Sequence, residues 1–123
     1  MTNENGPLVG IVGPCGAGKS TLANGLIEWG CNARAIAQEH SYVPNMWQRL
    51  TNPDILIFLQ ASDIVGAQRR NMTWTKTEWE EQQRRLRHAF EHADFFLETD
   101  HLTISSVLQH VRDFLETQKF YRK

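Results

Sequence analysis

The chain lacks most of the features that place a protein in a specialised class at first sight. Cys15 and Cys31 are the only two cysteines in 123 residues, too few for a disulfide framework. No run approaches the roughly 18 apolar residues that a bilayer-spanning helix needs. The opening Met-Thr-Asn-Glu-Asn-Gly-Pro has neither a basic region nor an apolar stretch, so no signal peptide is expected there. Neither sign of charge is in excess: 13 Lys and Arg against 14 Asp and Glu give a formal net charge of -1. That balance argues against general electrostatic binding to nucleic acid. Internal repeats and low-complexity linkers are missing too. One domain over 1–123 is therefore expected, loose over 1–7, in the cytoplasm, with no membrane or nucleic-acid partner.

What is there has an ordinary globular composition, 41% hydrophobic and 22% charged, arranged in a clear order. Leu8-Val9-Gly10-Ile11-Val12 is an apolar run suited to a strand covered on both faces. Leu22, Ala23, Leu26 and Ile27 then recur at helical spacing, and Gly30 is placed to end that helix. Ala33 to Ala37 is a weaker strand, interrupted by Arg34. Pro44 to Leu50 allows a short helical turn before Asn52-Pro53 breaks the chain. Ile55 to Leu59 is β-branched and apolar throughout, the mark of a central strand. Ser62 or Asp63 can cap a following helix that carries Arg69 and Arg70. From Thr77, a long amphipathic helix is predicted with Trp79, Leu86, Phe90 and Ala93 on one face. Phe95-Phe96-Leu97 makes a short last strand. Ile104, Val107, Leu108, Val111, Phe114 and Leu115 mark a final helix with Thr103 as N-cap. Alternation of strands and helices forces crossover connections. The expected fold is α/β, three-layer and doubly wound, around a small, mostly parallel sheet of about four strands.

The glycine-rich turn after the first strand carries the chemistry. Gly13-Pro-Cys-Gly-Ala-Gly18-Lys19-Ser20 fits the P-loop (Walker A) pattern, with a strand before it and a helix after it as the pattern requires. Gly13, Gly16 and Gly18 let the backbone come close to phosphate oxygens, and successive amides form an anion nest helped by the helix dipole. Lys19 would lie between the β- and γ-phosphates, and Ser20 would offer its hydroxyl to magnesium. The nucleotide contacts expected are Gly13, Cys15, Gly16, Ala17, Gly18, Lys19, Ser20 and Thr21, with Cys15 read as a small filler of the loop. A dinucleotide fingerprint fails because Thr21 stands where its third glycine belongs. No Asn-Lys-x-Asp motif is present to read guanine, so the cofactors expected are ATP and Mg2+.

Together with this loop, the strand Pro53-Asp54-Ile-Leu-Ile-Phe-Leu-Gln-Ala-Ser62 and the following Gln68-Arg69-Arg70 resemble the nucleotide- and nucleoside-kinase branch of P-loop phosphotransferases, in particular dephospho-coenzyme A kinase and deoxynucleoside kinases. The stretch from Ala93-Asp94 to Leu115 resembles the last strand and helix of that group. The resemblance implies a γ-phosphoryl transfer to a small-molecule acceptor, with Arg70 as a lid residue neutralising charge on the transferred group. It implies further that Glu39, where deoxynucleoside kinases have a similar acidic residue, serves as base or metal support beside the catalytic Lys19. Arg84, Arg85 and Arg87 are read as a solvated helix face paired with Glu78, Glu80 and Glu81.

The chain departs from the group in three ways, one being that Glu39 is followed by His40-Ser41 where deoxynucleoside kinases often have Arg. No apolar strand ends in Asp: the central strand ends in Gln60, and Asp54 lies at its wrong end. The acceptor-binding insertion is missing, leaving Ser41 to Leu50 to do its work, with Tyr42 and Trp47 as contacts for a second ligand. These departures keep open a nucleotide-binding regulator or slow ATPase, and a degenerate binder. The acceptor is not legible, and a homodimer is compatible with the sequence. His88-Ala-Phe-Glu91-His92 matches a zinc-protease pattern but has no evident third ligand, so both histidines are read as surface residues.

Overall fold

Four apolar runs become the strands β1 (Leu8–Val12), β2 (Asn32–Ala35), β3 (Ile55–Gln60) and β4 (Phe95–Glu98). The structure is a computed structural model that describes residues 7–14, 16–62, 65 and 76–118. The strands pair in the order β2-β1-β3-β4, all parallel. The inner pair is buried almost throughout, whereas the edge strands alternate or stay half-exposed. This explains why β1 and β3 read as unbroken apolar runs and β2 does not. β2 ends at Ala35, two residues short of the expected boundary. Ile36 nonetheless stays 4% exposed, with its amide on the Ile11 carbonyl at 2.8 Å.

The register is fastened at the strands' amino ends by the same device used twice. Asp54, just before β3, donates its amide to the Leu8 carbonyl at 2.8 Å and accepts the Leu8 amide on Oδ2 at 2.7 Å. Asp94, just before β4, does the same to Leu56, at 2.8 Å in both bonds. Each aspartate thus clasps both polar groups of one residue on the neighbouring strand.

Helices α1 (Lys19–Trp29) and α3 (Ile104–Thr117) share a core with one sheet face, where Leu22, Leu26, Val111 and Leu115 meet Val9, Ile11 and Ile57. On the opposite face Val12, Leu56 and Phe58 pack with Leu86 and Ala89 of α2 (Lys76–His92) and with Ile36 and Trp47. The helix ends follow their sequence signals. Gly30 closes α1 in the left-handed region, with its amide on Ile27 and that of Cys31 on Leu26. Thr103 caps α3, accepting from the Ser106 amide at 3.1 Å.

The stripe on α2 differs from expectation by one position. Its buried residues are Gln82, Leu86 and Ala89, with Ala93 packed against the same cluster. Phe90 lies about 100° around the helix from Ala89 and is 52% exposed, edge-on to Phe58 and Phe96. The helix expected to carry Arg69 and Arg70 lies outside the described residues, apart from Val65, whose amide donates to Ser62 Oγ at 3.2 Å. Among the described residues, no helix is long and apolar enough to cross a membrane.

Candidate functional site

A parallel sheet brings all its carboxyl ends to one rim, and here that rim gathers the glycine loop, the turn after β2 and the turn after β4. The loop leaves the inner strand β1 at Gly13, which presses directly on β3. A Cβ placed on Gly13 would sit 2.1 Å from the Leu59 carbonyl oxygen, and its φ of 156° lies where side chains are rarely found. Gly18, at φ 97°, is the left-handed residue from which α1 starts. Conformations of this kind let a backbone turn its amides inward at the positive end of a helix.

Lys19 opens α1. Its ammonium donates to the carbonyls of Gly13 at 3.0 Å and Pro14 at 3.3 Å, and to Glu39 Oε2 at 2.8 Å. Glu39 reaches it because β2 pairs directly with β1, so the chain leaving β2 passes beside the loop. It sits on a single 3-10 turn, Gln38–His40. The pair is sheltered, with 12% of the Lys19 side chain and 4% of that of Glu39 exposed. His40 Nε2 stands 3.6 Å from the same Glu39 oxygen.

Gln38 anchors this turn from beneath. It is fully buried, donating to the Val43 carbonyl at 2.9 Å and the Arg85 carbonyl at 3.2 Å, and accepting the Trp47 amide at 2.8 Å. Arg85 answers from α2, donating to the Glu39 carbonyl at 3.3 Å and to Glu81 at 3.0 Å, with its guanidinium 4.2 Å from the Tyr42 ring centroid. Arg84 also pairs with Glu81. The expected pairing with helix carboxylates therefore holds for Arg84 and Arg85, but Arg85 in addition ties α2 to the Glu39 turn.

At the end of β3, where a carboxylate is missing from the sequence, Gln60 and Gln83 exchange amide hydrogen bonds at 2.8 and 3.1 Å. Thr99, at the end of β4, directs its hydroxyl to the carbonyls of Gln60 at 3.2 Å and Ala17 at 3.4 Å. A cavity of about 490 Å³ opens between the loop and α3, walled by residues such as Gly18, Ser20, Thr21, Thr99, Ile104 and Leu108. Its lining combines the hydroxyl residues Ser20, Thr21 and Thr99 with the apolar Leu102, Ile104 and Leu108.

Gly16, Ala17, Gly18, Lys19, Ser20 and Thr21 all line this cavity, and Gly13 and Glu39 stand behind them through Lys19. Cys15 and Arg70 lie outside the described residues. Trp47, expected to face a second ligand, is instead a core residue, 5% exposed, with Nε1 donating to His88 Nδ1 at 3.1 Å. Tyr42 is 82% exposed. His88 and His92 stack at 4.2 Å, and His92 Nδ1 meets the His88 carbonyl at 2.8 Å. Among the described residues, no group of three or more His, Cys, Asp or Glu side chains could hold a metal ion. A nucleotide's magnesium asks for less, being held mainly by phosphates and water, and the exposed Ser20 hydroxyl at the cavity fits that need. Thr99 and Gln38 escaped the sequence reading. Thr99 could have been found as the hydroxyl residue just past Glu98 at the end of the last strand, at the ligand-binding rim; Gln38 carries no such signal.

No protein-family model matches the chain, and a comparison with curated proteins gives no match.

Proposed function

We propose that this chain is a small P-loop protein of the three-layer, doubly wound class that binds ATP with magnesium and transfers the γ-phosphoryl group to a small-molecule acceptor. One observation carries the reading: Lys19, under a loop built on Gly13 and Gly18, is set 2.8 Å from the carboxylate of Glu39. A glycine loop, a lysine at a helix start and a sheltered acid together are what phosphoryl transfer asks of a protein. The loop amides and Lys19 hold the phosphates. Ser20 would hold magnesium, which would supply positive charge against the phosphate oxygens. The acceptor's hydroxyl oxygen bonds to the γ-phosphorus as the bond to the bridging oxygen breaks; ADP leaves with that electron pair, and Glu39 takes the hydroxyl proton. Arg70 is the lid residue of this scheme.

The second reading is a nucleotide-binding regulator or slow ATPase. The burial of Trp47 favours it, since it removes a group that an acceptor site would use, and the Gln60–Gln83 amide pair stands where the carboxylate at the end of β3 is missing. The base reading is ATP in either case.

Calorimetric titration of Lys19→Ala tests the shared part. Charge-assisted contacts are worth roughly 1.5–3 kcal/mol, so triphosphate affinity should fall at least about tenfold while adenosine affinity holds. Equal ATP affinity in the variant would sink the assignment. Phosphate release and transfer across a metabolite panel separate the two readings, and Glu39→Gln should lower turnover roughly a hundredfold in a phosphotransferase.

A further inference from the structure

The burial of Trp47 fixes the protonation of a histidine. An indole nitrogen can only donate, so the His88 Nδ1 that receives Trp47 Nε1 at 3.1 Å carries no proton. A carbonyl oxygen can only accept, so the His92 Nδ1 that meets the His88 carbonyl at 2.8 Å carries one. The partners thereby set both rings: His88 is neutral with its proton on Nε2, and His92 has a proton on Nδ1. A proton arriving on His88 Nδ1 turns the acceptor into a donor, and two N–H groups then face each other across 3.1 Å. It also puts a positive ring against His92, stacked at 4.2 Å. Among the described residues neither ring has an ion pair. On α2 itself Arg84 and Arg85 pair with Glu81, and Arg87 and Glu91 are exposed. Across from α2, Glu39 is turned to Lys19 with His40 beside it, and Arg49 is exposed. β3 offers the apolar Leu56 and Phe58, and Asp94 gives a carboxylate oxygen to the Leu56 amide.

Trp47 passes the state of His88 on to the rim. It is 5% exposed, and its backbone amide donates to Gln38 Oε1 at 2.8 Å. Gln38 is the residue before Glu39 and also holds the Val43 and Arg85 carbonyls. An indole that loses its acceptor is left buried and unbonded, a state relieved by moving Trp47 out of the core. The turn Gln38–His40 loses part of its support with it.

We propose that Trp47 and His88 form an acid-operated latch, closed while His88 is neutral, that holds the Glu39 turn against α2. The closed form binds no proton at Nδ1 and the open form binds one, so lowering the pH opens it. Opening falls between about pH 8 and about pH 5, where histidines change charge. The inference goes beyond the P-loop reading and does not rest on it.

The test is a pH titration of the unliganded full chain by nitrogen–proton NMR, with the Trp47 indole resonance assigned by its absence in Trp47→Phe. In wild type this resonance and the amides of 38–47 should shift together as the pH falls from about 8 to about 5, with the midpoint at which the His88 ring protons titrate. His88→Asn places an amide oxygen where Nδ1 stood, an acceptor that takes up no proton. In that variant the Trp47 resonance should keep its neutral-pH position throughout, whereas His40→Gln should leave the shift in place. A wild-type Trp47 resonance that does not move, or one that moves equally in His88→Asn, overturns the proposal. So does a shift of the indole alone with the amides of 38–47 unmoved, since the latch would then not reach the turn. If His88→Asn does not fold, the wild type decides. Equal midpoints for His88, the indole and the turn support the proposal, and a turn that follows His40 instead overturns it.

Discussion

Gly13 and Gly18 are required for different reasons. At Gly13 the obstacle is solid: a Cβ would meet the Leu59 backbone oxygen at 2.1 Å, and a strand carbonyl cannot step aside. At Gly18 there is nothing within 4 Å of the added atom, and only the φ of 97° resists it. Gly13→Ala should therefore cost about 3 kcal/mol or more, since either the loop or β3 must shift. Gly18→Ala should cost only about 1 kcal/mol, the strain of a left-handed alanine. Urea unfolding of the two variants checks the order. Equal losses would mean that the loop does not press on β3 as described. On the proposed function, nucleotide affinity should fall for both, and Gly18→Ala is the variant stable enough to measure it.

At the scale of elements, the 3-10 turn bearing Glu39 stands on very little structure of its own. It is held by α2, through Gln38 on the Arg85 carbonyl, Arg85 on the Glu39 carbonyl and Trp47 on His88. Gln38→Leu keeps similar volume and abandons the amide of the buried Trp47, while the Val43 carbonyl keeps the Met46 amide. A buried group left without its bond costs about 1–3 kcal/mol, so the variant should lose about 2 kcal/mol in urea unfolding with an unchanged slope. A loss below about 1 kcal/mol would show that water or a rearranged loop replaces these bonds. The same arrangement explains what the sequence disclosed and what it withheld. β1, β3 and α3 were legible because their apolar spacing is a local property of consecutive residues. The glycine loop and the lysine at the start of α1 were legible because they lie within one short stretch. The burial of Trp47 was not, because its partner His88 is 41 residues away, and an aromatic beside exposed Tyr42 looks like a binding residue until the fold closes over it. Phe90 misled in the opposite way, since one position on a helix separates a core face from a half-exposed one.

For the whole molecule, the strand order has consequences that no single element carries. Among the described residues, the inner strands β1 and β3 have a partner on both sides, while β2 and β4 each have one. Native-state hydrogen exchange should be slowest for amides of β1 and β3 and faster for the edge strands, tracking local opening. The order β2-β1-β3-β4 itself was not legible, because pairing among parallel strands depends on packing remote in sequence. It is also what delivers Glu39 to Lys19, so half of the candidate site was visible as a motif and half only as topology. Nucleotide should extend exchange protection from the loop across this rim. If Arg70 is the lid residue that the resemblance implies, a phosphotransferase should slow exchange over 69–80 with a non-hydrolysable analogue and slow it further with acceptor. A regulator should show its largest change over 39–50, with no small molecule deepening it. Protection confined to the loop would leave a degenerate binder.

The aspartate clasps at the opposite rim bear on how such a sheet is reached in time. Parallel strands meet only after long stretches of chain have closed, here 46 residues between Leu8 and Asp54 and 38 between Leu56 and Asp94. Closing such loops is entropically costly and slow, yet the cost hardly differs between a correct alignment and its neighbour. A slip of one residue would turn the apolar set of a strand to the wrong face, and it would also leave Asp54 or Asp94 facing a residue whose amide and carbonyl point elsewhere. The clasps therefore favour the native register over its neighbours, since only there do both hydrogen bonds of each aspartate form.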